Sequence, residues 1–282
     1  MSGHSRWSQI KRKKGKTDVQ RGKLFSKILR EITVAARNGG GDPKGNLRLK
    51  AAIESAKASN MPADNVKRAI QKGTGELPGE SYEEITYEGY GPGGVAVLIQ
   101  VLTDNKNRTG PELRHTFEKN SGRMGTMGCV AWMFDRRGVL QVDAERIKED
   151  DLLEKALDAG AVDVKRVEKA FEITTAADEM EAVRSALEGQ GVPVLEATAA
   201  MIPQSTVRVE GKDAAALLRL IEALEEQDDV QAVYSNYDIP DEVLDPHDPQ
   251  RARPRRWRRG PRRECRSSSR RPGRRPAPRG PR

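Results

Sequence analysis

The N-terminal quarter of the chain shows a helical spacing of apolar residues. Over residues 21–37 apolar side chains recur every three or four positions, and the polar and glycine run 38–41 ends this pattern. Two shorter helices are predicted over residues 46–59 and 62–73. Because none of the three has enough apolar surface to be stable alone, we expect a small bundle. Its predicted core residues are Leu24, Ile28, Leu49, Ile53, Val66 and Ile70.

Beyond residue 79 the pattern changes from helical to extended. Residues 85–90 and 95–102 predict two strands, joined by the turn Gly91-Pro92-Gly93-Gly94. A helix is predicted from Thr109 to residue 120, because Thr109 and Glu112 have the spacing of a capping box. Residues 129–134 predict the next strand.

Residues 138–203 predict strands and helices in the ferredoxin-like order βαββαβ. The segments on either side predict a second series of strands and helices in the same βαββαβ order, namely 95–102, 109–120, 129–134, 205–210, 212–227 and 230–235. We therefore predict an α+β fold with an N-terminal three-helix bundle and two ferredoxin-like domains, one inserted in the other. The predicted domains are a basic helical domain (1–77), a discontinuous α+β domain (78–136 and 204–245), an inserted ferredoxin-like domain (137–203) and a disordered Arg/Pro-rich tail (246–282).

Charge is divided unevenly along the chain. Residues 1–30 carry a formal charge of +9 and residues 251–282 carry +14, so the total of +8 leaves −15 for the residues between them. We therefore expect a polyanion to be attracted to the termini and repelled by much of the body. Two interpretations of the tail stay open, a genuine basic arm and a translated out-of-frame segment, since its fifteen arginines occur without a lysine.

Neither cysteine usage nor hydropathy indicates a secreted or membrane protein. Cys129 and Cys265 are far apart and belong to no CxxC or Cys/His motif, so we predict neither a disulfide nor a zinc site. The densest apolar run, 95–101, is interrupted by Gln100. We expect a cytoplasmic protein without a membrane partner, a metal or another cofactor.

Groups suited to catalysis are scarce. The histidines His4, His115 and His247 are scattered, and the glycine-rich run at 89–94 lies between strands and lacks the Lys-Ser/Thr of a P-loop. Asp104 and Arg108 are the remaining candidates, although helix entry explains their segment adequately. We therefore expect no enzymatic activity and keep an uncharacterised enzyme as a third alternative.

The most informative feature is a basic run that covers the approach to the first helix and the helix itself. Such density favours a phosphate-rich partner, with Trp7 as a stacking surface. The predicted nucleic-acid-binding residues are Arg6, Trp7, Lys11, Arg12, Lys13, Lys14, Lys16, Arg21, Lys23, Lys27 and Arg30. The second and third helices could also form a helix-turn-helix. The side chains that the third helix offers suit phosphates at least as well as bases, namely Asn65, Lys67, Arg68, Gln71 and Lys72.

Seven short motifs, in order over residues 1 to about 245, resemble those of the YebC/PmpR family. They are Gly3-His4-Ser5-Arg6-Trp7, Arg21-Gly22-Lys23-Leu24-Phe25, Gly39-Gly40-Gly41-Asp42-Pro43, Asn60-Met61-Pro62, the run from Tyr87 to Gly94, the run from Asp104 to Thr109, and Met201-Ile202-Pro203. The Arg-rich tail has no counterpart in that pattern.

This resemblance implies a cytoplasmic, three-domain protein of the kind named probable DNA-binding transcriptional regulators. Other members resemble ribosome-associated factors that help the translation of proline-rich stretches, and a mitochondrial relative is a translational activator of cytochrome oxidase. Both functions would use the basic head, with DNA or ribosomal RNA as the partner. We therefore predict a nucleic-acid-binding regulator of gene expression, with a ribosome-associated translation factor as the alternative.

Overall fold

The computed structural model describes residues 18–167 and 169–239 of the chain. The helices in these ranges are α1 (Asp18–Gly39), α2 (Leu47–Ala58), α3 (Ala63–Thr74), α4 (Lys106–Lys119), α5 (Glu149–Asp158), α6 (Met180–Gly189) and α7 (Gly211–Glu225). The strands are β1 (Glu83–Tyr90), β2 (Ala96–Thr103), β3 (Arg123–Met124), β4 (Phe134–Asp143), β5 (Asp163–Val167), β6 (Ala170–Ala176), β7 (Val194–Pro203), β8 (Val207–Arg208), β9 (Val230–Ser235) and β10 (Tyr237–Asp238). This composition confirms the predicted α+β class.

Helices α1, α2 and α3 form the predicted bundle, which we call the head. Its core joins Ile28 and Ile32 of α1 to Leu49 of α2 and Ala69 of α3. A side chain at Gly73 would overlap the carbonyl oxygen of Thr33, so α1 and α3 approach each other closely where α3 has a glycine. Of the six core residues predicted from the helical spacing, Ile28 and Leu49 are buried in this core, and the other four are partly buried against it, namely Leu24, Ile53, Val66 and Ile70.

The first sheet has the order β3-β1-β2-β9, and all of its pairs are antiparallel. Helices α4 and α7 cover one face, where Leu113 and Leu217 pack with the β2 residues Val97 and Ile99. Strand β2 is central and almost entirely buried, which explains its continuous apolar sequence. The opposite face packs against residues 129–134 and against β7.

The second sheet has the order β5-β6-β4-β7 and is built entirely from the chain between β3 and β9. Its elements follow one another as β4, α5, β5, β6, α6 and β7, which is the βαββαβ order predicted for residues 138–203. Leu140 and Ile173 from the strands pack with Leu152 of α5 and Leu187 of α6. The strands at which the chain enters and leaves this sheet are neighbours, because Phe134 pairs with Pro203.

Three predicted elements differ from the structure. The strand predicted over residues 129–134 is wrong, because Ala131–Met133 form a 3₁₀ turn and β4 begins only at Phe134. The strand predicted over 205–210 is reduced to the two residues of β8, which pair in parallel with β10. The helix predicted from Thr109 begins at Lys106, because the side chain of Asn105 accepts hydrogen bonds from the amides of Asn107 and Arg108.

Candidate nucleic-acid interface

The structure describes four of the eleven residues predicted to bind nucleic acid. Arg6, Trp7, Lys11, Arg12, Lys13, Lys14 and Lys16 lie outside the described residues. Arg21 is exposed near the start of α1, whereas Lys23, Lys27 and Arg30 are partly buried further along this helix.

These three partly buried cations contact the C-terminal end of α7 and the loop directly after it. The Nζ atom of Lys23 donates to the carbonyl oxygen of Glu226 at 3.0 Å, and that of Lys27 donates to the carbonyl of Glu225 at 2.7 Å. Arg30 donates to the carbonyl of Asp228. The carbonyls that end a helix lack intrahelical partners and carry the negative end of its dipole. Lys23, Lys27 and Arg30 therefore hold the head against α7, and we call this contact the head clamp.

Beside the head clamp lies Asp229, a carboxylate that is only 5% exposed. It accepts hydrogen bonds from Arg108 and Thr109, each at 2.7 Å, and from Thr103 at 3.1 Å, while Arg30 lies 3.4 Å away. Burial alone would raise the pKa of Asp229, but the bonds from Arg108, Thr109 and Thr103 outweigh it, so this pKa is lowered.

This network explains Asp104 and Arg108 in structural terms. Arg108 donates to Asp104 at 2.9 Å as well as to Asp229, and these bonds raise its pKa. Both residues therefore fix the start of α4 against the segment that precedes β9. No group of three or more His, Cys, Asp or Glu side chains that could hold a metal occurs within residues 18–167 and 169–239.

Helix α3 carries a second set of cations that faces solvent. Its apolar side, which includes Val66, Ala69 and Ile70, packs into the head, and this leaves Lys67, Arg68 and Lys72 exposed. Arg68 and Lys72 are four positions apart and so lie on one face of the helix. In the described part of the chain, none of the three makes an ion pair with a carboxylate. We call Lys67, Arg68 and Lys72 the α3 basic face.

Two sequence families match nearly all of the described chain. Residues 5–76 match the family described as TACO1/YebC protein N-terminal domain, and residues 82–237 match the one described as TACO1/YebC second and third domain. The chain belongs to the TACO1/YebC family. The resemblance predicted from seven short motifs is therefore confirmed.

Individual TACO1/YebC relatives agree with this assignment. A protein of Pelotomaculum thermopropionicum named "Probable transcriptional regulatory protein" is 59% identical over 86% of this chain and 100% of its own length. A protein of the same name from Syntrophus aciditrophicus is 55% identical over 87% of this chain and 98% of its own. The crystal structure of a conserved hypothetical protein from Aquifex aeolicus has a TM-score of 0.78 at 50% identity, over 85% of this chain and 99% of that one.

Sequence reasoning about this TACO1/YebC protein missed the roles of two carboxylates. Asp229 and Glu88 look like ordinary polar positions, at a loop and within a strand, yet both are buried and fully engaged. The spacing of Arg68 and Lys72 was visible in the sequence, but only the packing shows which head cations remain exposed. No helix in the two described ranges is long and apolar enough to cross a membrane.

Proposed function

We propose that this protein is a DNA-binding regulator of transcription whose head grips the phosphate backbone. The observation that carries the proposal is the α3 basic face, three exposed cations without a carboxylate partner among the described residues. Cations that remain solvated and unpaired can exchange their counterions for phosphates, which favours association with nucleic acid. The relatives named probable transcriptional regulatory proteins support the assignment to transcription.

The head clamp narrows the proposed contact surface. Lys23, Lys27 and Arg30 already donate to the end of α7, so the α3 basic face and the basic residues before α1 form the phosphate-binding set. Lysine and arginine on an exposed helix bind phosphates irrespective of sequence. We therefore propose that duplex binding is governed mainly by charge, in the cytoplasm, with a modest contribution from base readout.

The protein is proposed to be a binding protein rather than an enzyme. Asp104 and Arg108, the best candidates for chemistry in the sequence, form an ion pair with each other, and Arg108 also pairs with buried Asp229. A turnover that is abolished by Arg108→Ala in a correctly folded variant would contradict this view.

Substitution of the α3 basic face tests the proposal. We expect the variant K67Q/R68Q/K72Q to bind a 20-base-pair duplex more weakly, and the slope of log affinity against log salt to fall in magnitude by about 2.7, since each phosphate contact contributes about 0.9. The matched control is K148Q/K212Q/R219Q, which neutralises three exposed body cations. Equal losses in both variants, or no loss in the first, would overturn the proposal.

A second experiment separates transcription from the ribosomal alternative. Crosslinking in cells, followed by sequencing of the recovered DNA and RNA, should enrich particular duplex regions over the genomic background. Recovery of ribosomal RNA without any enriched DNA region would reject the transcriptional function.

A further inference from the structure

A buried carboxylate holds the loop between β3 and β4 in one conformation. Glu88 of β1 is 4% exposed, and its carboxylate accepts the backbone N–H groups of Gly128, Val130 and Ala131 at 2.6 to 2.8 Å. Its carbonyl oxygen accepts the amide of Gly125 at 2.8 Å. We call residues 125–133 the Trp132 loop. Four backbone amides of this loop therefore donate to Glu88, which holds the loop rigidly against the first sheet.

This rigid loop presents two large apolar side chains to solvent. Met127 is 88% exposed and Trp132 is 67% exposed, whereas Val130 is buried against Leu98 and Tyr234. The indole N–H of Trp132 donates to the carbonyl of Cys129 at 3.2 Å. The hydroxyl of Tyr90 donates to the same carbonyl at 3.0 Å. Because its polar atom is satisfied within the loop, the indole offers a partner only its apolar ring.

Two arginines flank the Trp132 loop. Arg123 lies directly opposite Tyr90 in the β1–β3 pair, so its side chain emerges on the face that carries Tyr90. Arg136 lies opposite Met201, and Met201 packs in the cluster that contains Cys129 and Ala131. Both arginines are exposed, and neither forms an ion pair with any carboxylate in the described chain. The loop therefore combines an exposed aromatic ring with uncompensated positive charge.

The size of the apolar surface favours a base over a folded protein as the partner. A stable protein interface buries about 1,200 to 2,000 Å² in total, with a contiguous apolar centre. The Trp132 loop provides only two large apolar side chains, and the other exposed ones lie on separate elements, such as Leu47 on α2 and Leu195 on β7. One indole suffices to stack a base, and flanking arginines suit the phosphates on either side of it.

We propose that the Trp132 loop binds single-stranded nucleic acid, with a base stacked on Trp132 and phosphates bound by Arg123 and Arg136. This inference extends the proposed function, because it rests on nucleic acid being the ligand. It adds a contact that is separate from the α3 basic face and requires unpaired bases. Duplex and single strand would thus be bound by different parts of the chain.

Fluorescence of Trp132 provides the test. The chain has three tryptophans, so Trp7→Phe and Trp257→Phe in the full-length protein leave Trp132 as the sole emitter. We expect saturable quenching by an eight-nucleotide oligouridylate or oligothymidylate, and no quenching by an abasic strand of equal length. In the same background, Trp132→Ala should weaken binding of the labelled strand by about 5- to 150-fold, as expected for one stacked base.

Matched variants distinguish base stacking on Trp132 from the general effect of truncating an exposed apolar side chain. Leu47→Ala and Leu195→Ala, which also truncate exposed apolar side chains, should leave strand affinity unchanged. R123Q/R136Q should lower the salt slope for single strands by about 1.4, at about 0.7 for each phosphate contact. Equal quenching by the abasic strand, or equal affinity of Trp132→Ala and its parent, would overturn the proposal. A Trp132 emission that changes with protein concentration alone, together with dimers in sedimentation, would assign the loop to a second copy instead.

Failure of this inference and failure of the proposed function give different results. K67Q/R68Q/K72Q in the single-tryptophan background should lose duplex affinity and keep base-dependent quenching. If the parent fails to bind duplex but oligouridylate still quenches Trp132, the transcriptional proposal fails and the stacking site stands. If duplex binding depends on α3 while Trp132 responds to no strand, only the stacking site is rejected.

Discussion

Two buried carboxylates, Glu88 and Asp229, hold loop segments against the first sheet through hydrogen bonds. Both carboxylates are almost inaccessible to water. Glu88 accepts hydrogen bonds from backbone amides, and Asp229 accepts them from the side chains of Arg108, Thr103 and Thr109. A buried charge is tolerated only where such donors replace its hydration. These two residues therefore specify the positions of the Trp132 loop and of the start of α4.

Replacing Glu88 by glutamine should destabilise the fold. Glutamine keeps one acceptor oxygen but places an NH₂ group against backbone donors, so charge-assisted hydrogen bonds are lost and donors are left unpaired. We expect the free energy of unfolding to fall by about 2 to 3 kcal/mol, measured by urea denaturation at pH 7. Glu118→Gln, at an exposed position on α4, is the control and should have no measurable effect. A Glu88→Gln protein as stable as its parent would contradict a stabilising role of the Glu88 carboxylate.

Stability should decline in acid because of the same two residues. The pKa of Glu88 lies below its usual 4.5, since its three backbone hydrogen bonds outweigh the effect of burial, and the pKa of Asp229 lies below its usual 3.8. A carboxylate whose pKa is lower in the folded state than in the unfolded state stabilises the fold at a pH above its unfolded-state pKa. This stabilisation is lost as the pH falls through the folded-state pKa. We expect E88Q/D229N to show a smaller loss of unfolding free energy than the parent below about pH 4.5.

At the level of elements, α1 and α3 divide the cations of the head between folding and binding. Within the head clamp, Lys23 and Lys27 donate to carbonyls at the end of α7 and Arg30 donates to the carbonyl of Asp228 just beyond it, while the α3 basic face makes no such contact in the described chain. We expect K23A/K27A/R30A to lower the free energy of unfolding by about 1 kcal/mol per residue. K67Q/R68Q/K72Q should leave it unchanged. Thermal and urea denaturation of both variants would measure this difference. Equal free energies of unfolding in the two variants would contradict a stabilising role of the head clamp.

Local patterns predicted most elements, and contacts distant in sequence explain the exceptions. The helical spacing of Leu24, Ile28 and their partners, and the βαββαβ order of residues 138–203, needed no tertiary information. Residues 129–134 have an apolar sequence typical of a strand. The carboxylate of Glu88, some forty positions earlier, accepts the amides of Gly128, Val130 and Ala131 instead. Similarly, Asp229 binds Thr109 from across the fold, so Asn105 rather than Thr109 caps α4. A single sequence does not report such long-range hydrogen bonds.

On the scale of the whole molecule, the head is joined to helices of both sheets. Helix α1 contacts α7 through the head clamp, and α2 contacts α6 through the ion pairs Lys50–Glu181 at 2.8 Å and Arg184–Glu54 at 3.1 Å. The side chains of these pairs with α6 are partly exposed, so salt will screen the attraction between their charges. We expect hydrogen exchange in α6 to increase with ionic strength more than exchange in α7, since the clamp bonds to backbone carbonyls. Equal salt dependence in the two helices would contradict this difference.

The C-terminal arginines offer a separate test of charge-driven binding. Residues 251–282 carry a formal charge of +14, so a chain that ends at residue 245 has a negative net charge. We expect this truncation to lower the affinity for any duplex and to reduce the magnitude of the salt slope, with no change in base-dependent Trp132 quenching. Affinity titrations over a range of salt concentrations would measure both, and an unchanged slope would exclude the tail from binding.

The placement of the second sheet between β3 and β9 has a consequence for biosynthesis. Strand β2 is hydrogen-bonded to β1 on one side and to β9 on the other, yet β9 leaves the ribosome only after the entire second sheet has been made. During that interval one edge of an almost wholly apolar strand lacks its neighbour, and such edges recruit other chains. Nascent chains that stop before residue 230 should therefore be the forms most dependent on chaperones, and a translational pause there the most harmful.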